Sequence, residues 1–198
     1  DHRAYYVAAI RECFEEAGIL LTLPDPSGPA SPPLTLAQQA DLRDQLNAGT
    51  LSFNRLLSEH ELIPNAALIK PVARWITPLG SPKRFDARFF LAKHPEDQDA
   101  SHDQGELVDS EWLSPKEILS RFDTGSMAIM TPTLRMIQNL QAFDSADAVL
   151  AAMDQTEDYH QVLVDPDTGA LLLPGENGYD AAVDHIETGW VRLRALRN

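Results

Sequence analysis

The chain has 198 residues, 43% of them hydrophobic, and a formal net charge of −14, which is ample for one substantial core of ordinary globular composition. The acidic surplus excludes nucleic acid as a general partner, because phosphates would be repelled with few cations to neutralise them; a small phosphate-bearing molecule is still admitted, since a bound divalent cation inverts the local field. No apolar run reaches the length of a membrane span, so no membrane partner is expected, and the single cysteine excludes an internal disulfide and suits a reducing, cytoplasmic setting.

In chain order, residues 4–17 read as a helix ended by Gly18, where glycine takes the left-handed position cheaply. "LPDPSGPASPP" follows as a loop, then two helical patterns, "TLAQQADLRDQL" and "SFNRLLSEHEL", separated at Ala48-Gly49. "ALIKPVARWITP" and "RFDARFFLAKH" predict strands; in the second, Phe85, Ala87 and Phe89 alternate with Arg84, Asp86 and Arg88. The acidic "PEDQDASHDQGE" reads as an exposed loop leading into a strand at "LVDSEWL". Ser114 with Glu117 spells a capping box with Pro115 at the first helical position, and Thr131-Pro132 opens another helix, "TLRMIQNLQAF". After a short helix near 145–153, "YHQVLV", the turn "DPDTG", "ALLLP" and "WVRLRAL" predict a small antiparallel sheet.

The first helix holds the chemistry. Tyr6, Ile10, Cys13, Phe14 and Ala17 fall on one apolar stripe, Glu12, Glu15 and Glu16 on the opposite side, and Arg11 at their border. Three neighbouring carboxylates repel one another by a few tenths of a kcal/mol per pair, and such oxygen clusters are what hard cations require. Acidic helix faces are nonetheless common, and on spacing alone a solvated face is the more frequent reading.

The full string alters that balance. Arg11-Glu12-Cys13-Phe14-Glu15-Glu16-Ala17-Gly18-Ile19 resembles the second half of the Nudix box, R-E-U-x-E-E-x-G-U with U a bulky apolar residue, at every fixed position. "YYVAAIRECFEEAGILL", "WITP", "KRFDARFFLA" and "GELVDSEWLSP" are similar to the coenzyme A diphosphatase branch of that family, over roughly residues 4–143. The resemblance implies an α+β fold, an α/β/α sandwich with a mixed sheet, and hydrolysis of a nucleoside diphosphate conjugate by attack of water on phosphorus. It makes Glu12, Glu15 and Glu16 ligands of Mg²⁺ or Mn²⁺, Glu16 foremost, and Arg11 the residue that orients them. Coenzyme A or an acyl-coenzyme A is the expected substrate; ADP-ribose, dinucleotides, or a nucleotide-binding module without turnover are the alternatives.

The glycine and glutamate that open the full box do not stand at their fixed spacing, since Arg3 holds the glutamate's position. A displaced or upstream first half, and N-terminal strands lying outside this chain, are therefore expected, Asp1 being an unusual first residue. The chain divides by expectation into a Nudix domain over 1–153, with a helical insertion at about 35–61 that caps the substrate, and a C-terminal β extension over 154–198. The analogy also admits a homodimer.

Other residues carry two readings each. Glu106 is either a further metal or base carboxylate or an exposed loop-end charge, with Asp103 and Glu111 weaker candidates for the same task. Arg84 and Arg88 either hold substrate phosphates or, more commonly for such a pattern, pair with Asp86. Trp75 and Phe85 either stack on a base or, as is usual in strands, belong to the core. The scattered histidines have no metal spacing, and Cys13 reads as a small buried hydrophobe.

Overall fold

The computed structural model describes residues 2–29, 32–77, 81–102, 110–155, 159–183 and 189–192, and their contacts group the chain into two units. The first comprises residues 1–69 and 92–112, the second 70–91 and 113–198.

The first unit opens with helix α1, His2–Ala17. Gly18, at φ 73°, ends it, its amide donating to the Phe14 carbonyl at 3.0 Å. Of the expected stripe, Ile10 and Phe14 are fully buried and Tyr6, Cys13 and Ala17 half-buried. Each of the two buried side chains contributes about 2–3 kcal/mol by leaving water.

Strand β1, Thr22–Pro24, pairs antiparallel with β2, Leu62–Pro64, with Leu23 opposite Ile63. The sequence predicts loop at one and a helix end at the other. Three-residue strands carry too little alternation to be read locally, and a two-stranded ladder tolerates prolines that a central strand would reject. Between them lie α2, Leu36–Asn47, and α3, Phe53–Glu59. Thr35 and Gln38 form a reciprocal capping box on α2, and the Ser52 hydroxyl accepts from the Arg55 amide to cap α3. Helix α2 packs on α1, burying Leu42 and Leu46 together with a cation, Arg43.

In the second unit, β3, Ile69–Ile76, and β4, Asp86–Ala92, are neighbours where the sequence predicts them. Helix α4, Pro115–Asp123, starts at the expected Ser114–Glu117 capping box, the Glu117 carboxylate accepting from the Ser114 amide at 2.8 Å. Helix α5, Thr131–Leu140, begins one residue earlier than the Thr-Pro signal implies. Met130 is its cap, without a side-chain bond, and Pro132 sits inside the first turn, where its missing amide would have had no helical partner. Helix α6 spans Ala146–Gln155. Of the strand expected at "LVDSEWL", residues 107–109 lie outside the described residues, and Ser110–Leu113 are irregular.

Four short strands complete this unit: β5, His160–Gln161; β6, Leu163–Val164; β7, Leu171–Leu172; and β8, Trp190–Val191. β6 and β7 form the hairpin around "DPDTG", with Leu163 opposite Leu172. β8 pairs antiparallel with both β3 and β5, giving the order β4-β3-β8-β5. Strands from the tail thus share a sheet and a core with β3: Val72, Ala73 and Trp75 pack with Met136, Met153, Val162 and Val191. Gly189 precedes β8 because nothing larger fits; a Cβ there would lie 1.7 Å from the Arg74 carbonyl oxygen.

Candidate functional site

Helix α1 carries Arg11, Glu12, Glu15 and Glu16 on successive turns of one side. Glu12 is exposed, whereas Glu15 and Glu16 are half-buried, Glu15 retaining 24% of its side-chain exposure. Arg11 donates a short hydrogen bond to the Glu12 carboxylate, and its Nε lies 3.4 Å from Glu15 Oε2. The Glu12 bond is the main reason the guanidinium is held above its ordinary pKa; burial opposes it, and the charges of Glu15 and Glu12 reinforce it. Arg11 therefore relieves the repulsion that three adjacent carboxylates would otherwise suffer.

Cys13, between them, is half-buried, and burial pushes its thiol pKa up, with the nearby Glu16 carboxylate adding to the effect. The helix is thus buried and apolar at Ile10 and Phe14, while Cys13 is half-buried and feels the charge of Glu16.

The end of α1 is held from outside. Arg43 of α2, 8% exposed, donates from Nε to the Glu15 carbonyl at 2.9 Å and from Nη2 to the Glu16 carbonyl at 2.6 Å. It also donates to the Ser101 carbonyl at 2.9 Å and the Ser101 hydroxyl at 3.0 Å. The Ser101 amide donates to the Ala17 carbonyl at 3.0 Å, and the Gln98 side-chain amide bridges the amide and carbonyl of Leu20 at 2.7 and 3.1 Å. Part of the acidic segment is therefore docked on the end of the box helix.

The donor set suits a hard divalent cation: carboxylate oxygens at positions i, i+3 and i+4 of one helix, two of them partly withdrawn from water. Among the described residues, no three histidine, cysteine, aspartate or glutamate side chains are gathered into a cluster of metal-ligating size. Glu12 and Glu15 are instead drawn toward Arg11.

Residues 1–140 match the family model of the NUDT19 Nudix domain. The chain belongs to the NUDT19 Nudix family. This Nudix domain is 30% identical to the acyl-coenzyme A diphosphatase NUDT19 of Homo sapiens over 198 residues, covering 93% of the chain and 53% of that relative. To the Gallus gallus protein of the same description it is 27% identical, covering 92% of the chain and 54% of the relative. The chain spans about half the length of the curated relatives it matches. Its fold is similar to that of a NUDIX hydrolase from Alicyclobacillus acidocaldarius, with TM-score 0.60 and 29% identity, over 76% of this chain and 65% of that one. The α+β Nudix fold class read from the box is thereby established for this domain.

Of the other candidate residues, Glu106 and Asp103 lie outside the described residues, and Glu111 is exposed in the irregular segment before α4. Arg84 and Arg88 belong to the second unit. The Asp86 carboxylate is taken there not by its strand neighbours but by Arg74 of β3, through two bonds of 2.7 Å. Arg84 donates to the Thr77 carbonyl at 2.8 Å, and Arg88 acts on Asp86 only through its charge. Trp75 is core, at 4% exposed; Phe85 is not, at 53%, and the Lys83 ammonium sits 4.8 Å from its ring centre.

Arg43 is the residue that sequence reading passed over. Its signal was present: a cation beside Leu42 and three residues before Leu46, on a face whose neighbours are buried. A buried guanidinium needs acceptors for its five donors, and helix-end carbonyls supply them.

Proposed function

We propose that this Nudix domain belongs to a divalent-metal-dependent diphosphatase that cleaves coenzyme A or an acyl-coenzyme A at its diphosphate linkage. One observation carries the reading: Arg11, Glu12, Glu15 and Glu16 lie on a single helix that Gly18 ends, as the box string requires, with Arg11 paired to Glu12 and Glu15, in a chain matching the NUDT19 Nudix domain. The diphosphatase names of the relatives support the substrate class.

In this reading Glu16, with Glu12 and Glu15, would hold Mg²⁺ or Mn²⁺. When bound, such an ion neutralises diphosphate oxygens and lowers the pKa of a coordinated water. Arg11 orients Glu12 and Glu15 by ion pairing. A carboxylate left beside the attacking water accepts its proton. Phosphorus gains the water oxygen and the bridging P–O bond breaks, leaving two phosphomonoesters. Helices α2 and α3, which follow the box helix, would shape the substrate side of the first unit.

The deciding experiment offers coenzyme A, an acyl-coenzyme A, ADP-ribose and a dinucleotide to the parent chain and to Glu16→Gln, with Mg²⁺ or Mn²⁺. Preferential release of two phosphomonoesters from coenzyme A, abolished by Glu16→Gln in a folded variant, is expected. Equal rates for parent and variant would sink the role of Glu16. Arg3, standing where the box has glutamate, favours a second reading, a nucleotide-binding module without turnover. Ligand bound with no product, in the same assay, would select it.

A further inference from the structure

Every carbonyl of the last turn of α1 is accounted for. Phe14 O accepts from Gly18, Glu15 O from Arg43 and from Asn47 Nδ2 at 3.2 Å, Glu16 O from Arg43, and Ala17 O from Ser101. Helix ends normally leave such carbonyls to water, and they fray. Here the two central ones belong to the residues whose side chains are the proposed metal carboxylates, and a buried guanidinium holds both. The planar fork of arginine matches two adjacent carbonyls as lysine cannot, and its charge is favoured at the negative end of a helix.

We infer that Arg43 is a positioning residue of the hydrolytic site: from helix α2 it locks the last turn of the box helix, so that the Glu15 and Glu16 carboxylates are presented in a fixed orientation to a divalent cation. The same guanidinium binds Ser101, so the order of the box helix end and the docking of the 98–101 segment rise and fall together. This makes the helical insertion part of the catalytic scaffold and not only a substrate cap. The inference rests on the reading of Glu15 and Glu16 as metal ligands.

The test uses the full chain with Mn²⁺ alone as probe, free Mn²⁺ being followed by electron paramagnetic resonance, alongside turnover of coenzyme A. Arg43→Gln and Arg43→Lys, at a temperature where far-ultraviolet circular dichroism shows both folded, should bind Mn²⁺ roughly tenfold more weakly, the lower end of what is lost when groups that orient metal ligands are removed. Their kcat should fall at low metal and recover in part at high metal, with substrate KM little changed. A purely structural arginine would lower the unfolding temperature and leave Mn²⁺ affinity as in the parent; that result overturns the inference. If the Arg43 variants do not fold, Asn47→Ala decides, because it removes one exposed donor from the Glu15 carbonyl. A roughly twofold or greater loss of Mn²⁺ affinity, twofold being the low end of what one ordinary hydrogen bond is worth, supports the inference, and an unchanged affinity refutes it. A parent that binds Mn²⁺ without turnover, with variants that bind it more weakly, would end the hydrolase reading and leave this inference standing. A parent that hydrolyses coenzyme A, with variants of unaltered Mn²⁺ affinity, would do the reverse.

Discussion

Gly18→Ala tests the architecture around the box helix most directly, and Gly49→Ala is its internal control. Both glycines have positive φ, 73° and 68°. An alanine in the left-handed region costs about 1–2 kcal/mol, offset by roughly 0.4–1 kcal/mol because alanine also restricts the unfolded chain. At Gly49 a Cβ would meet nothing within 4 Å, so a net loss of about 1 kcal/mol is expected. At Gly18 the Cβ would stand 3.1 Å from Arg43 Nη1, and that guanidinium, held by four hydrogen bonds, has little room to retreat. Displacing it weakens charged hydrogen bonds worth about 1.5–3 kcal/mol, which brings the expected loss to about 3 kcal/mol. In urea unfolding followed by circular dichroism, Gly18→Ala should lower the midpoint by roughly 1 M more than Gly49→Ala, for a slope of about 2 kcal/mol per molar. If the two variants lose the same stability to within about 0.5 kcal/mol, a value near the usual scatter of independent sites, Arg43 is not the rigid clamp described above.

Three further outcomes are expected. Cys13 should react slowly with a disulfide reagent near pH 8, since burial and then Glu16 raise its pKa; Glu16→Gln should speed the reaction, and an unchanged rate would separate the two side chains. The Asp86 carboxyl is held below its ordinary pKa, first by the Arg74 hydrogen bond, so the pair contributes stability that is present above the unfolded carboxylate pKa and lost as pH falls through the lower, folded value. Both side chains are about a third exposed, at 31% and 40%, so solvent screening limits the contribution to about 1 kcal/mol or less; Asp86→Asn should flatten that part of the acid stability curve, and an identical curve would count against the pairing. Gly189→Ala drives a Cβ into the Arg74 carbonyl and should cost about 3 kcal/mol or more, the upper range for overpacking; a near-neutral result in thermal unfolding would mean that β8 does not lie against β3 as described.

The box helix, its glycine stop, the two long strands and the capped helices were legible because their signals are local. Helical spacing, a left-handed glycine, alternation over several residues and a serine–glutamate pair three apart each act within one or two turns of chain. The four principal residues of the proposed site could be named from the sequence for the same reason, since all of them lie on a single helix. The short strands β1 and β2 were not legible, and neither was Asp86's partner. Each depends on a residue 12 or more positions away, which no local pattern specifies.

By itself the sequence determined that residues 11–19 match the second half of a Nudix box, with its acidic residues on an amphipathic helix that Gly18 ends, because those constraints lie in the spacing of neighbouring residues. Only the tertiary structure decided what holds that helix's end, and it chose a residue 27 and 28 positions further along the chain. It also decided that β5 and β8 of the tail join the sheet of β3. The physical reason is common to both. Helix-end carbonyls and strand edges must find partners wherever the folded chain brings donors within reach, and which donors arrive is a property of packing, not of order along the chain.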